Sequence, residues 1–117
     1  MSDPAPISPF ARTPEPPYHA VIFTSLRREG DDGYADMAKR MMALALAQPG
    51  CLGAESARDP RGFGLTVAYF ATEADIAAWR DHAEHRLAQE LGRAKWYAHY
   101  EVRIARVERV YSGPEKL

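Results

Sequence analysis

The chain has 117 residues, 46% hydrophobic and 26% charged, the composition of one globular domain. That length excludes separate cofactor and substrate domains, because each needs roughly 100–150 residues. Fifteen Lys and Arg against sixteen Asp and Glu leave a net charge of −1, which argues against a nucleic-acid partner held by phosphate neutralisation.

Residues 1–17 stand apart as a Pro-rich segment, holding six of the nine prolines (Pro4, Pro6, Pro9, Pro14, Pro16, Pro17). Proline fixes φ and removes backbone donors, so a flexible tail is expected, with Ile7 and Phe10 its means of lying along a partner. The folded domain is expected over residues 18–112, with 113–117 as a C-terminal tail. Tyr18 to Leu26 is rich in β-branched and aromatic residues and reads as a strand. Glu29 to Gly33 makes a turn, with Asp31 or Asp32 as helix N-cap. Tyr34, Met37, Ala38, Met41, Leu44, Ala45 and Gln48 then recur at helical spacing, and Pro49-Gly50 stops that helix. Cys51 to Asp59 and Gly64 to Ala71 read as an antiparallel hairpin turning at Pro60-Arg61-Gly62. Thr72 caps a helical region from about Glu73 to Tyr97, interrupted near His82–His85 or at Gly92. Glu101 to Tyr111 is a last strand.

The order β-α-β-β-α-β predicts an α+β, ferredoxin-like domain: a four-stranded antiparallel sheet with the helices on one face. Strand one places Tyr18, Ala20 and Ile22 on one face and Val21 and Phe23 on the other. The third strand does likewise, with Leu65, Val67 and Tyr69 opposite Ala68 and Phe70. A second apolar face needs a cover, so a homodimer packed sheet to sheet is expected.

Hydrolase, phosphate-loop, dinucleotide and dithiol motifs are absent. The single cysteine, Cys51, excludes an internal disulfide and reads as a small core residue in a reducing cytoplasm. No apolar run approaches the ~18–20 residues of a membrane helix, and Met1-Ser-Asp-Pro-Ala-Pro lacks the features of a signal peptide. The densest polar–aromatic cluster is Trp79 to Arg86, with His82 and His85 three apart. That spacing matches no zinc-protease motif, and no metal is expected. On one straight helix, Ile76, Ala83, Leu87 and Leu91 form the core stripe, leaving His82 on the flank and His85 opposite the core. A break near His82 would overturn that placement. Trp96, Tyr97 and Tyr100 form a second aromatic cluster, read as capping the sheet or an interface. Arg103, Arg106 and Arg109 read as solvated edge charges beside Glu101 and Glu108.

Gln48 to Arg58, Gly64 to Phe70, Ile76-Ala-Ala-Trp79 and Val107 to Tyr111, in that order and spacing, resemble the antibiotic biosynthesis monooxygenase family over residues 18–111. The resemblance implies a dimeric α+β barrel. Some relatives oxidise polycyclic phenols or hydroquinones with O2 and neither metal nor flavin, whereas others bind and degrade heme. The heme degraders use an Asn on strand one and a Trp and a His on the second helix. Trp79 matches, the Asn position falls at Thr24 or Ser25, and the His falls by strict spacing on Gln89.

The resemblance therefore implies a cofactor-independent monooxygenase acting on a small aromatic phenol or hydroquinone, with heme as an alternative cofactor and a non-catalytic ligand-binding barrel as an alternative role. Such chemistry needs an apolar pocket, a base and fixed donors. The expected base is His82 or His85, the polar anchor Ser25 and the pocket wall Trp79. Phe23, Tyr69, Met37 and Met41 are expected to complete a pocket between sheet and helices.

Overall fold

Residues with high strand propensity crowd β1 (Tyr18–Arg27) and β3 (Phe63–Phe70), and these become the two central strands of the sheet. The computed structural model describes residues 8–115. Between and after these strands come α1 (Tyr34–Leu46), β2 (Cys51–Arg58), α2 (Glu73–Asp81), α3 (Ala83–Leu91), a π-helical turn (Gly92–Trp96) and β4 (Tyr97–Val107). The sheet is antiparallel throughout, in the order β2-β3-β1-β4, which is the ferredoxin-like arrangement.

Register divides every strand between two faces. Val21 and Phe23 of β1 stand level with Ala68 and Thr66 of β3 and with Ile104 and Val102 of β4. This face meets the helices. Phe70, Ala68, Val21 and Cys51 pack against Ala45, Leu44 and Met41 of α1 and against Ile76 and Trp79 of α2. Cys51 is thus the small core-packing residue expected. The opposite face carries Tyr18, Ala20, Ile22 and Leu26 of β1 with Phe63, Leu65, Val67 and Tyr69 of β3. Tyr18 and Ala20 are buried, while Leu26, Phe63 and Leu65 stay exposed.

Four details differ from expectation. The long helical region breaks twice rather than once, at His82 and at Gly92. β4 starts at Tyr97 instead of Glu101 because Trp96 is pinned: its indole N–H donates to the Asp32 carbonyl at 3.1 Å, and its own carbonyl accepts from the Arg28 amide at 2.8 Å. The strand ends at Val107, opposite Tyr18, where its partner begins. The N-cap of α1 is Gly33 at φ 82°, not an aspartate; Asp31 instead accepts from the amides of Gly33 and Ala35 and so ties the turn to the helix.

The fourth difference is the N-terminal segment. The Ala11 amide donates to Glu55 at 3.2 Å, and the hydroxyls of Thr13 and Tyr18 are 2.8 Å apart. Residues 9–13 therefore lie along the outer face of the chain's own sheet rather than free in solvent. Gly53 makes room for them, since a Cβ there would stand 3.0 Å from that of Ala11. Ile7 and the earlier prolines lie outside the described residues.

Candidate functional site

A break in a helix can re-aim the side chains that follow it, and here it does. α2 begins with Thr72, whose hydroxyl accepts from the Asp75 amide at 3.1 Å, and ends at His82, where φ −62° and ψ 131° are extended. α3 therefore starts on a new axis. His85 does not point away from the core, as one straight helix would require, but packs edge-on against Trp79 with ring centroids 4.4 Å apart. His82 lies 5.5 Å from the same indole. Trp79 is itself buried in the core, while Leu87 is half exposed.

The Nδ1 atoms of His82 and His85 are buried without a hydrogen-bond partner among the described residues, and so is that of His19. Buried polar atoms are almost always satisfied, so three imidazoles left this way invite a functional reading. Burial, reinforced by the charge His82 can carry, holds the His85 pKa below the ordinary histidine value. His85 is accordingly neutral at pH 7 and able to accept a proton. His19 escaped the reading of the sequence. Strand parity was the available signal, because it shares the helix-facing side with Val21 and stands level with Phe70 and Arg106.

Ser25 lies on the same face but at its other end, six residues or about 20 Å along β1 from His19. It is the buried polar side chain of the core, and its hydroxyl accepts from Arg58 Nη2 at 2.8 Å. Around it stand Tyr34, whose hydroxyl lies 3.1 Å from Arg58 Nη2, and Tyr97, whose hydroxyl donates to that of Tyr34 at 3.5 Å. Burial, with that hydroxyl contact, holds the Tyr97 phenol well above its ordinary pKa. Phe23 packs on Tyr97 and Tyr100 at 5.4 and 5.6 Å. These tyrosines share a face because β4 bulges: Tyr97 and His99 oppose Arg27 and Leu26, leaving Ala98 without a partner.

The residues expected to form one pocket thus separate into three places. Trp79, His82, His85 and Met41 belong to the Phe70 end of the helix-facing side, and Phe23 and Ser25 to the other end. Met37 is half-buried on α1. Tyr69 is on the opposite face, where its hydroxyl donates to Glu55 at 2.6 Å and its ring meets Tyr18 edge-on. Burial and the Glu55 carboxylate push its pKa up to about 12. Alternation decides this, since Ala68 and Phe70 point to the helices and the residue between them cannot. Two shallow concavities also lie toward that outer side. One of about 250 Å3 runs beside Pro9, Phe10, Glu55, Ala57, Leu65 and Val67. Another of about 300 Å3 is bounded by Ala57, Asp59 and Phe63.

Among the described residues no three His, Cys, Asp or Glu side chains converge on a metal position. At the strand position where the resemblance places an amide in heme-degrading relatives, this chain carries Thr24 or Ser25, and Arg58 engages the Ser25 hydroxyl. No helix among the described residues is long and apolar enough to cross a membrane.

A profile described as antibiotic biosynthesis monooxygenase matches residues 17–91. The chain is 52% identical over 99 residues to the uncharacterized protein YqjZ of Bacillus subtilis, covering 85% of this chain and 87% of that one. Its fold resembles crystal structures of protein SO0527 from Shewanella oneidensis (TM-score 0.71, 10% identity, 80% of this chain and 94% of that one). It also resembles PA3566 from Pseudomonas aeruginosa (TM-score 0.66, 14% identity, 83% and 98%). At such identities the structural likeness speaks to the fold alone.

Proposed function

Because this chain belongs to the antibiotic biosynthesis monooxygenase family, we propose that it is a cofactor-independent monooxygenase that oxidises a small aromatic phenol or hydroquinone with O2. The observation that carries the reading is His85, a neutral, partly buried imidazole with an unpartnered Nδ1 against Trp79. The apolar indole wall keeps the imidazole desolvated and thereby neutral. His85 takes the phenolic proton, and, for a phenol whose para carbon carries hydrogen, the phenolate supplies electrons to O2, which adds at that carbon as a hydroperoxide. Loss of the remaining proton on that carbon breaks the O–O bond, leaving a quinone carbonyl and one water, so one oxygen atom enters the product and the other leaves as water. A hydroquinone instead passes two electrons and two protons to O2, giving the quinone and H2O2, and neither route consumes an external reductant. His82, 5.5 Å from the same indole, is the second imidazole within reach of that proton.

The exposed apolar residues of the outer sheet face, Leu26, Phe63 and Leu65, support a homodimer built through that face. The test of the activity is oxygen uptake with a panel of hydroquinones and anthrones, repeated with His85→Ala and with His82→Ala. A base in this role contributes roughly 10²–10⁴-fold, so His85→Ala is expected to slow uptake by about that factor. Uptake absent across the panel, or unchanged when both histidines are replaced by Ala together, removes the reading. A hemin titration followed in the Soret region is expected to give no saturable histidine-dependent band.

A further inference from the structure

The far end of the helix-facing side holds two cations that the proposed chemistry does not use. Arg58, Gly64, Ser25 and Tyr100 stand level across all four strands. The Arg58 side chain starts on the edge strand β2, crosses β3 over Gly64 and reaches Ser25 on β1. It spans one strand spacing, about 5 Å, to set its guanidinium over Gly64, from where Nη2 reaches the Ser25 hydroxyl. Gly62 O fixes its other terminal nitrogen. Arg27 lies flat on the Tyr34 ring, 3.6 Å from its centroid, held by the carbonyls of Trp96 at 3.1 Å and Gly30 at 2.8 Å. The Arg58 guanidinium approaches the same ring at 5.6 Å.

Among the described residues no ion pair neutralises either cation. The ion pairs among the described residues use Arg40, Arg61, Arg80, Arg103 and Arg106, and none involves Arg27 or Arg58. Glu29 and Asp32, close to Arg27 in sequence, form no ion pair among the described residues, and Asp31 and Asp59 are engaged elsewhere. Asp31 accepts from the amides of Gly33 and Ala35 at the start of α1, and Asp59 accepts from the amides of Arg61 and Phe63 within the hairpin. Neutral oxygens hold both guanidiniums in fixed orientations and leave each with unused N–H groups, since a guanidinium has five. Two oriented cations that share the Tyr34 ring, with the Tyr34 hydroxyl beside Arg58 and the Tyr97 hydroxyl next to it, form a ready receptor for a planar, two-oxygen anion. Phe23, Tyr97 and Tyr100 continue from it as an aromatic floor.

We propose that Arg27 and Arg58, with the hydroxyls of Tyr34 and Tyr97, bind the carboxylate of an aromatic acid whose ring lies on Phe23 and Tyr100. This rests on the monooxygenase reading and gives its substrate class: an extended, polycyclic phenolic carboxylic acid, its carboxylate at the arginine end and its ring system running along the face toward the histidine end.

Binding and turnover separate the two ideas. The probes are a hydroxynaphthoic acid with hydroxyl and carboxylate on opposite rings, and the corresponding naphthol, each titrated calorimetrically into the full chain. Charge-assisted, bidentate recognition predicts that the acid binds at least about tenfold tighter than the naphthol. Arg58→Gln and Arg27→Gln are each expected to erase most of that preference while leaving naphthol affinity within about twofold. Arg58→Lys keeps the charge but not the fork, and it is expected to restore only part of the preference. Thermal melts establish that each variant is folded. Should the native chain bind both probes equally or neither, or should folded Arg→Gln variants keep the preference, the carboxylate site is overturned. His85→Ala is expected to retain the preference. A native protein that discriminates the probes yet consumes no O2 with any phenol keeps this site and loses the monooxygenase reading.

Discussion

His85 titrates in a way that links the site to stability. Its folded pKa lies below the ordinary value because burial and His82 disfavour the cation. On acidification the unfolded chain therefore takes up this proton first, at about pH 6.5, and the folded state loses ground from there down to the lowered pKa. Above that window the imidazole is neutral in both states and the linkage is silent. Urea unfolding midpoints at pH 7.5 and 5.5 are expected to differ less in His85→Gln than in the native chain. The same lowered pKa makes the proposed proton transfer insensitive to pH across neutrality. Its rate is expected to fall only as acid begins to protonate His85, and the pH dependence of oxygen uptake checks this.

At the scale of elements, the turn before β2 is the sharpest local constraint. Gly50 sits at φ 81° directly beneath the Asp75 carboxylate of α2, where a Cβ would overlap the carboxyl carbon. Gly50→Ala combines backbone strain with displacement of Asp75 from its contact with Thr72, and it is expected to cost about 1–2 kcal/mol or more by chemical denaturation. Pro49-Gly50 is legible in the sequence as a helix stop, and so are the order of elements and both faces of β1 and β3. These are set by local chemistry and a period of two. What the sequence withheld depends on a single irregular residue. A helical period alone sends His85 the wrong way, and only the interruption expected near His82–His85, which falls at His82, brings it back to Trp79. No period foresees that Ala98 drops out of register and brings Tyr97 to the helix-facing side with Tyr100. Arg58 could be paired with Ser25 only once the hairpin register placed Gly64 between them.

The whole molecule has a sheet covered by helices on one side and by Pro9 to Thr13 of its own chain on part of the other. Leu65 stands among the exposed apolar groups on that second side, next to Phe10. If this face joins two copies, the arm is part of the joint. Sedimentation at micromolar concentration is expected to give a dimer, and Leu65→Glu is expected to shift it toward monomer without unfolding the chain, because the substituted side chain reaches solvent in the single subunit. A monomeric native protein would remove the sheet-to-sheet assembly. The two proposed sites on the helix-facing side would then still stand in each subunit, since every residue that builds them comes from one chain.

Gly64 gives that independence a practical edge. It carries no unusual backbone angle, and the atoms a methyl group would meet belong to the tip of the Arg58 side chain. Alanine there should leave the fold intact, yet it would close the lane by which a guanidinium from the edge of the sheet reaches its centre. One carbon atom can therefore withdraw a positive charge from the site without deleting it from the protein. A homologue need vary only this position to trade an acidic ligand for a neutral one, and a library randomised at residue 64 is a compact way to retune selectivity.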